Sequence, residues 1–131
     1  MVASKVASAA TSRSLYDTNI LIDYLNGIKA ARAELSGVGD PAISTVTWIE
    51  VMAGVPPEVE GTIRTFLATF RQLAVTPEVA ERAVMIRQTM KIKLPDAIIL
   101  ATAQADGRVL VTRNTKDFTV RMAGIRVPYR I

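Results

Sequence analysis

Residues 94–118, with the sequence LPDAIILATAQADGRVLVTRNTKDF, constrain the fold of this chain more than any other stretch. Pro95 and Asp96 suit the first turn of a helix, because proline loses no hydrogen bond there and a carboxylate favours the positive end of the helix dipole. Residues 97–105 are almost all apolar or small, so this helix must be buried on most of its sides. Asp106 and Gly107 predict the end of the helix.

A short strand and a polar loop follow this helix at once. Residues 109–111, the sequence VLV, are typical of a strand that is covered on both faces. Residues 112–117 are polar or charged. In parallel α/β sheets, sites are built from the loops at the C-terminal ends of the strands. A carboxylate at a helix start and a polar loop at a strand end therefore predict part of an active site.

The rest of the chain alternates short apolar strands with helices, which predicts an α/β fold whose central, mostly parallel sheet lies between helical layers. We expect one domain, residues 14–131, after a disordered leader, residues 1–13, which is small, polar and free of acids. The expected strands are 14–17, 42–46, 73–75, 109–111 and an edge strand within 121–130. The expected helices are 20–26 capped by Thr18 and Asn19, 29–35, one capped by Thr47, 56–70, 77–90 and 95–105.

Two absences restrict the chemistry. The chain has no cysteine and no histidine, which excludes disulfides, thiol nucleophiles, zinc–thiolate sites and the usual general base. Hydrolytic chemistry would have to use carboxylates, hydroxyls and amines, and oxygen ligands select Mg²⁺ or Mn²⁺ before zinc. The net charge is +4, a weak hint of a polyanionic partner. No apolar run could span a bilayer, so we expect a cytoplasmic protein without membrane contact.

Several polar residues share one topological property, because each follows a strand or begins a helix: Asp17, Glu50, Asp96, Asn114 and Asp117. Each has a simple alternative explanation as a cap or a loop residue, and Glu50 could form a capping box with Thr47. In a doubly wound sheet, however, these places meet at one edge. Clustered carboxylates repel one another unless a cation lies among them, and such an ion would also lower the pKa of a bound water.

Four blocks of the chain resemble the motifs of PIN-domain ribonucleases, and most of all the VapC-type toxins of type II toxin–antitoxin systems. The blocks are SLYDTNILIDYLNG, ISTVTWIEVMAG, LPDAIILATAQADG and VLVTRNTKDF. The resemblance extends from about Leu15 to the end of the chain and implies a PIN-like α/β/α sandwich. By position, Asp17, Glu50 and Asp96 match the first three acids of the family. The fourth position could be filled by Asn114 or by Asp117, and the sequence leaves this open.

The resemblance also implies a function. It implies an endoribonuclease that uses Mg²⁺ (or Mn²⁺) held by Asp17 and Asp96, with Thr112 orienting an acid or a bound water. It implies a homodimer and a cognate VapB-like antitoxin. Lys93, Arg113 and Lys116, near the expected site, are candidates to bind the RNA backbone.

Two other functions compete with this interpretation. One is a small phosphatase or a nuclease for another phosphoester, but the DTN sequence after the first strand lacks the second aspartate of a D-x-D phosphatase motif. The other is a catalytically silent PIN module that binds RNA or a protein. Asn114, in a position where many relatives have an aspartate, is the one feature that favours the silent module.

Overall fold

The computed structural model describes residues 13–37, 39–119 and 122–131. The described strands are β1 (Ser14–Tyr16), β2 (Ala42–Ser44), β3 (Arg71–Leu73), β4 (Val109–Val111) and β5 (Ile125–Arg126). The described α-helices are α1 (Thr18–Leu25), α2 (Lys29–Leu35), α3 (Thr45–Ala53), α4 (Glu60–Leu67), α5 (Pro77–Met90) and α6 (Leu94–Ala105). A 3₁₀ turn, Pro57–Val59, precedes α4.

The five strands form one sheet in the order β3-β2-β1-β4-β5, and all four pairings are parallel. The chain builds the sheet outward from β1 in one direction and then continues with β4 on the other side of β1. The crevice between the C-terminal ends of β1 and β4 is therefore the topological switch point, where sites form in open α/β sheets.

Side chains that alternate along the strands supply two separate cores. In β1, Leu15 belongs to the core under α5 and α6, whereas its neighbour Tyr16 belongs to the core under α1, α3 and α4. Leu110 and Val111 divide in the same way on β4. This period of two, with helices on both faces, gives the three-layer α/β/α sandwich and confirms the predicted fold class.

The helix predicted from residues 95–105 is the most buried of the described helices. Six residues of α6 are almost inaccessible to solvent: Ala97, Ile99, Leu100, Ala101, Thr102 and Ala103. The hydroxyl of buried Thr102 donates to the carbonyl of Ile98 (2.7 Å), so no polar atom of this side chain is left unpaired. Asp106 is the C-cap and Gly107 has a φ of 64°. The predicted helix and its end at Asp106 and Gly107 are confirmed. Here the apolar composition and the turn residues indicate the same helix.

Two predicted helix starts were wrong, by two and by three residues. Helix α1 begins at Thr18 with Asp17 as its N-cap, not with Thr18 and Asn19 as caps. Helix α3 begins at Thr45, and its cap is Ser44, whose hydroxyl accepts from the N–H of Val46 (3.1 Å). Strand β2 consequently ends at Ser44 and not at residue 46. Several cap-forming residues stand side by side in both places, so propensity alone could not choose among them.

The edge strands also differ from the prediction. Strand β3 is Arg71–Leu73 instead of 73–75, because the N–H of Arg71 bonds to the carbonyl of Pro41 (2.8 Å) and sets the register with β2. Its first two side chains are exposed, so hydrophobic pattern could not reveal it. In the predicted last strand, 121–130, residue 121 lies outside the described residues, and of the remainder only Ile125–Arg126 pair with β4. The predicted helix 56–70 is divided into the 3₁₀ turn and α4.

The predicted leader lies outside the described residues except for Arg13. The carbonyl of Arg13 accepts from the N–H of Val109 (2.9 Å), and its side chain donates to the carbonyl of Asp106 (2.6 Å). None of the described helices is long and apolar enough to cross a lipid bilayer.

Arg108 joins the N-terminal ends of three segments at the edge of the sheet away from the switch point. Its side chain is only 2% exposed and pairs with the carboxylates of Asp106 (2.6 Å) and Asp40 (2.8 Å). It also donates to the carbonyls of Ser14 (3.3 Å) and Asp40 (2.7 Å). One guanidinium therefore fixes the starts of β1, β2 and β4 relative to one another.

We expect the substitution Arg108→Met to lower the free energy of unfolding by roughly 2–3 kcal/mol, because charge-assisted hydrogen bonds to poorly solvated carbonyls are lost. Urea unfolding followed by circular dichroism measures this. Arg71→Met is the matched control, since Arg71 also pairs with Asp40 but its side chain is 59% exposed, and it should change stability little. Equal losses in the two variants would contradict the role given to Arg108.

Candidate active site

The carboxylate of Asp17 lies at the switch point and is held from both sides of it. Asp17 directly follows β1 and is only 3% exposed. Its Oδ1 accepts from the N–H of Thr18 (2.8 Å), which makes Asp17 the N-cap of α1. Its Oδ2 accepts from the hydroxyl of Thr112 (2.7 Å), at the end of β4, and from Nδ2 of Asn19 (3.3 Å). Its own N–H bonds to the carbonyl of Val111 (2.9 Å).

Thr112 connects this carboxylate with the loop that follows β4. Thr112 is fully buried. Its hydroxyl donates to Asp17 and accepts from the N–H of Asn114 (3.0 Å) and from Nδ2 of Asn19 (3.3 Å). The hydroxyl thus uses its one donor and two acceptor positions, and its orientation is fixed. Any displacement of the loop would therefore also move the hydroxyl that holds the carboxylate of Asp17.

Asp96, in the first turn of α6, shares the crevice with Asp17. Its partial burial, followed by the charges of Asp17 and Asp117, raises the pKa of Asp96 from 3.8 to about 6. Burial likewise raises the pKa of Asp17, although the hydrogen bonds from Thr112 and Thr18 oppose that shift. Asp17 and Asp96 line the same crevice, and the charge of Asp17 is one cause of the raised pKa of Asp96, so the two carboxyl groups lie close together.

Glu50 belongs to the same site, and the capping-box alternative for it was wrong. Because α3 begins at Thr45, Thr47 is not a cap but a fully buried residue of the first turn. The exposed carboxylate of Glu50 accepts instead from the hydroxyl of Thr18 (2.6 Å), at the start of α1. Thr18 Oγ1 also lies 2.9 Å from Thr47 Oγ1. The contact brings α3 and its carboxylate to the start of α1, beside Asp17.

The loop after β4 gives different positions to the two candidates for the fourth acid. Asn114 Oδ1 accepts from the N–H groups of Lys116 and Asp117 (both 3.2 Å), so its amide oxygen stabilises the loop itself. Its Nδ2 donates to the carboxylate of Asp117 (3.1 Å). Asp117 in turn interacts with Asp96, whose pKa it raises. The structure therefore brings the carboxylate of Asp117 to the other acids.

These groups surround an open cavity of about 300 Å³ at the C-terminal edge of the sheet. Its lining includes Asp17, Asn19, Glu50, Asp96, Asn114 and also Arg113. Among residues 13–37, 39–119 and 122–131, no three acids are already arranged as a ready-made metal site. The oxygen donors nevertheless fit a hard cation, because Mg²⁺ commonly takes one or two carboxylates and completes its shell with waters and phosphate oxygens.

The three basic candidates for RNA contact differ in their surroundings. Lys93, just before α6, and Lys116, in the loop after β4, are exposed. Arg113 instead makes a bidentate ion pair with Asp23 of α1 (2.6 and 2.9 Å). Asp23 is only 4% exposed and also accepts from the hydroxyl of Tyr129 (2.8 Å). The charge of Arg113 is therefore largely balanced within the protein.

Sequence reasoning missed four residues that hold these groups: Thr18, Asn19, Asp23 and Tyr129. Thr18 and Asn19 were assigned only to helix capping. A usable signal existed for Asp23, since it is a charged residue within the apolar sequence ILIDYL of a short helix. Nothing local indicates Tyr129, which is 106 positions away from its partner.

The fold and this acidic crevice define a class, and comparison with known proteins identifies it. The PIN domain family matches residues 15–122. The chain belongs to the PIN-domain family. The resemblance seen in the four sequence blocks is thereby confirmed.

Individual relatives agree with this assignment. The chain is 33% identical over 112 residues to Ribonuclease VapC10 of Mycobacterium tuberculosis, an alignment that covers 79% of this chain and 84% of the relative. A solved toxin–antitoxin complex from Klebsiella pneumoniae contains a chain of 47% identity, with a TM-score of 0.85, 90% of this chain covered and 99% of the other. DNA-bound VapBC from Salmonella typhimurium shares the fold at 24% identity, with a TM-score of 0.74 and coverage of 87% and 95%.

The raised pKa of Asp96 predicts a pH-dependent stability. The folded carboxyl binds its proton up to about pH 6, whereas the unfolded one releases it near pH 4. Folding therefore gains stability from Asp96 below pH 4 and loses it as the pH rises through 6. Without metal, Asp96→Asn should be more stable than the wild type at pH 7.5, by about 1 kcal/mol after allowance for partial exposure.

Urea unfolding in EDTA at pH 4 and at pH 7.5 measures this difference. The advantage of Asp96→Asn should shrink at pH 4, where the folded carboxyl of the wild type is protonated and the unfolded one is about half protonated. Glu58→Gln, a change at an exposed acid outside the crevice, should give a small and constant effect. A stability gap that is the same at both pH values would mean that repulsion and burial do not act on Asp96.

Proposed function

We propose that this protein is a VapC-type toxin, an endoribonuclease that hydrolyses RNA phosphodiester bonds and is inhibited by a cognate VapB-like antitoxin. Membership of the PIN-domain family supports the nuclease. The name of the relative at 33% identity, Ribonuclease VapC10, supports RNA as the substrate. The relative at 47% identity was solved as a toxin–antitoxin complex, which supports the antitoxin partner.

The observation that carries this proposal is the buried carboxylate of Asp17 facing Asp96 at the switch point, with Glu50 and Asp117 beside them. Asp17 and Asp96 are the residues that would hold Mg²⁺ or Mn²⁺. When bound, the cation would neutralise the clustered charge and supply Lewis acidity for the attack of water on the phosphate. The chain has no histidine, so the Lewis acidity of the cation would take the place of an imidazole base in activating water.

The protein's own groups would then prepare the site. Thr112 and Asn19 fix the carboxylate of Asp17 through two hydrogen bonds, so that it need not reorganise when substrate binds. Thr18 fixes Glu50 in the same way. The exposed ammonium groups of Lys93 and Lys116 would neutralise phosphates of the bound RNA strand on either side of the scissile bond.

A homodimer is part of the same proposal and rests on the family resemblance, since only one chain is described. Localisation in the cytoplasm, where RNA and an antitoxin would both be present, is proposed on the same ground.

A catalytically silent module has less support than the nuclease. Its one argument was Asn114 in place of an aspartate. The oxygen of Asn114 stabilises its own loop, whereas Asp117 brings a carboxylate to Asp96. The crevice therefore has four acids, three that line the cavity and Asp117 beside Asp96, and Asn114 does not leave the set incomplete.

We expect Asp17→Asn and Asp96→Asn to fold and to lose RNA cleavage by roughly a thousandfold, because each removes a charge that would hold the cation. Glu50→Gln should retain the contact with Thr18 but lose about ten- to a hundredfold, since it lies at the rim. Cleavage of a defined RNA with purified protein and Mg²⁺ measures these effects. EDTA should abolish cleavage by the wild type and by every variant. Glu58→Gln is the control.

Two results would contradict the proposal. Wild-type rates in Asp17→Asn or Asp96→Asn would show that the acids are not catalytic. Cleavage that persists in excess EDTA would show that the activity does not depend on a cation and comes from another mechanism or a contaminant.

The loop after β4 allows a separate prediction about metal affinity. Asp117→Asn should weaken Mg²⁺ or Mn²⁺ binding severalfold, because one charge is removed beside Asp96. Asn114→Asp should change the affinity less than Asp117→Asn does, because the side-chain oxygen at this position already accepts from two backbone N–H groups of the loop. Calorimetry of the three proteins decides this. Tighter binding by Asn114→Asp, with no effect of Asp117→Asn, would reverse the assignment of the fourth acid.

A further inference from the structure

Arg113 occupies an unusual position for a basic residue beside an acidic crevice. It directly follows Thr112, whose hydroxyl holds Asp17, and directly precedes Asn114. Yet its guanidinium turns towards α1 and forms two parallel hydrogen bonds with Asp23. Bidentate pairs of this kind fix both the position and the plane of the guanidinium. The side chain of Arg113 therefore fastens the start of the loop to α1.

A second contact fastens the same loop to the same helix. The backbone N–H of Arg113 donates to Oδ1 of Asn19 (3.2 Å), whose Nδ2 donates to Asp17 and to Thr112. Backbone and side chain of one residue are thus both bonded to α1, four positions apart along the helix. The backbone bond connects Arg113 with the proposed catalytic carboxylate of Asp17 through one side chain, that of Asn19.

Asp23 has a second partner, which comes from the C-terminal segment. The hydroxyl of Tyr129 donates to Oδ2 of Asp23, the oxygen that also accepts from Nε of Arg113. Burial, together with Asp23, raises the pKa of Tyr129, so this hydroxyl remains a donor at physiological pH. Asp23 therefore has both of its oxygens bonded, and a buried carboxylate with fixed partners is a rigid anchor.

We infer that Asp23 and Tyr129 are positioning residues for the acidic crevice, and that they act through Arg113 on the loop of residues 112–118. This inference rests on the proposed nuclease function and adds to it. It assigns Arg113 to the internal support of the site, and it assigns contact with RNA phosphates to the exposed lysines. Displacement of this loop would move the hydroxyl of Thr112 away from Asp17 and the carboxylate of Asp117 away from Asp96.

The test compares Asp23→Asn, Arg113→Lys and Tyr129→Phe in steady-state cleavage of a defined RNA at a temperature where every variant is folded. Asp23→Asn and Arg113→Lys should lower kcat by about 10- to 100-fold, the loss that a small misplacement of catalytic groups causes, with KM unchanged. Tyr129→Phe should lower kcat by only about two- to fivefold, since it removes one of three hydrogen bonds to Asp23. The double variant Asp23→Asn/Arg113→Lys should be no worse than either single change, because both remove the same pair.

Glu34→Gln is the matched control. Glu34 is another largely buried acid that pairs with an arginine, Arg126, and accepts from a tyrosine hydroxyl, that of Tyr16. Its carboxylate bonds to these two residues outside the loop of residues 112–118, and the link from Arg126 to Thr112 is a backbone bond, from the N–H of Thr112 to the carbonyl of Arg126 (3.0 Å), which the substitution does not remove. The variant Glu34→Gln should lose about as much stability as Asp23→Asn and keep the kcat of the wild type. A direct contact of Arg113 with RNA predicts the opposite pattern, in which Arg113→Lys raises KM and Asp23→Asn, which frees the guanidinium, lowers it. That pattern would overturn the inference.

Hydrogen exchange followed by mass spectrometry supplies a readout that does not depend on activity. The peptide covering residues 112–118 should exchange faster in Asp23→Asn than in Glu34→Gln. Faster exchange together with lower kcat supports the inference. Unchanged exchange and unchanged kcat in Asp23→Asn, with an active wild type, would refute it. If the wild type itself cleaves no RNA, the proposed function fails, and unchanged exchange in that case would refute the positioning role separately.

Discussion

The hydrogen bond from the hydroxyl of Thr112 to the carboxylate of Asp17 is the interaction on which the site depends. It joins the ends of β1 and β4, the two strands that flank the switch point of the sheet. A buried carboxylate beside other acids is unfavourable unless donors are fixed around it. The strand order supplies one of them from β4, and the start of α1 supplies the N–H of Thr18. Sheet topology thus determines where a buried carboxyl group can be stabilised by hydrogen bonds.

The same carboxylate also caps α1, so one residue both begins a helix and lies at the proposed active site. This double use explains why the predicted cap residues were displaced. Thr18 is not needed as a cap, and its hydroxyl is available to hold Glu50. Ser44 caps α3, which leaves Thr47 and Glu50 to face α1. Local rules for helix starts are followed in each case, but by a residue one to three positions before the expected one, and the change brings polar groups to the crevice.

Prediction from the sequence succeeded where local pattern and tertiary position agree. Asp17 and Asp96 could be placed because each adjoins an apolar segment whose burial is unmistakable. Strand β3 could not be placed correctly, because its exposed side chains carry no hydrophobic signal and its register is set by a backbone bond to Pro41. The partners of Arg113 could not be predicted either. Its bonds to Asp23 span 90 residues, and only the folded chain shows that this arginine is held internally.

The distribution of ion pairs gives a further reason to regard the crevice as a binding site. Outside it, most acids have a basic partner within the protein: Glu34, Asp23, Asp40, Glu60, Glu78 and Asp106. None of the four crevice acids, Asp17, Glu50, Asp96 and Asp117, forms an ion pair with a basic side chain among the described residues. Arg113, an arginine in the loop that carries Asp117, is bonded to Asp23 instead. The fold thereby concentrates uncompensated negative charge at one place, where a cation would gain the most Coulomb energy. Lysines at its rim would still attract a polyanion, so that the metal and the phosphate of a substrate could complete the site together.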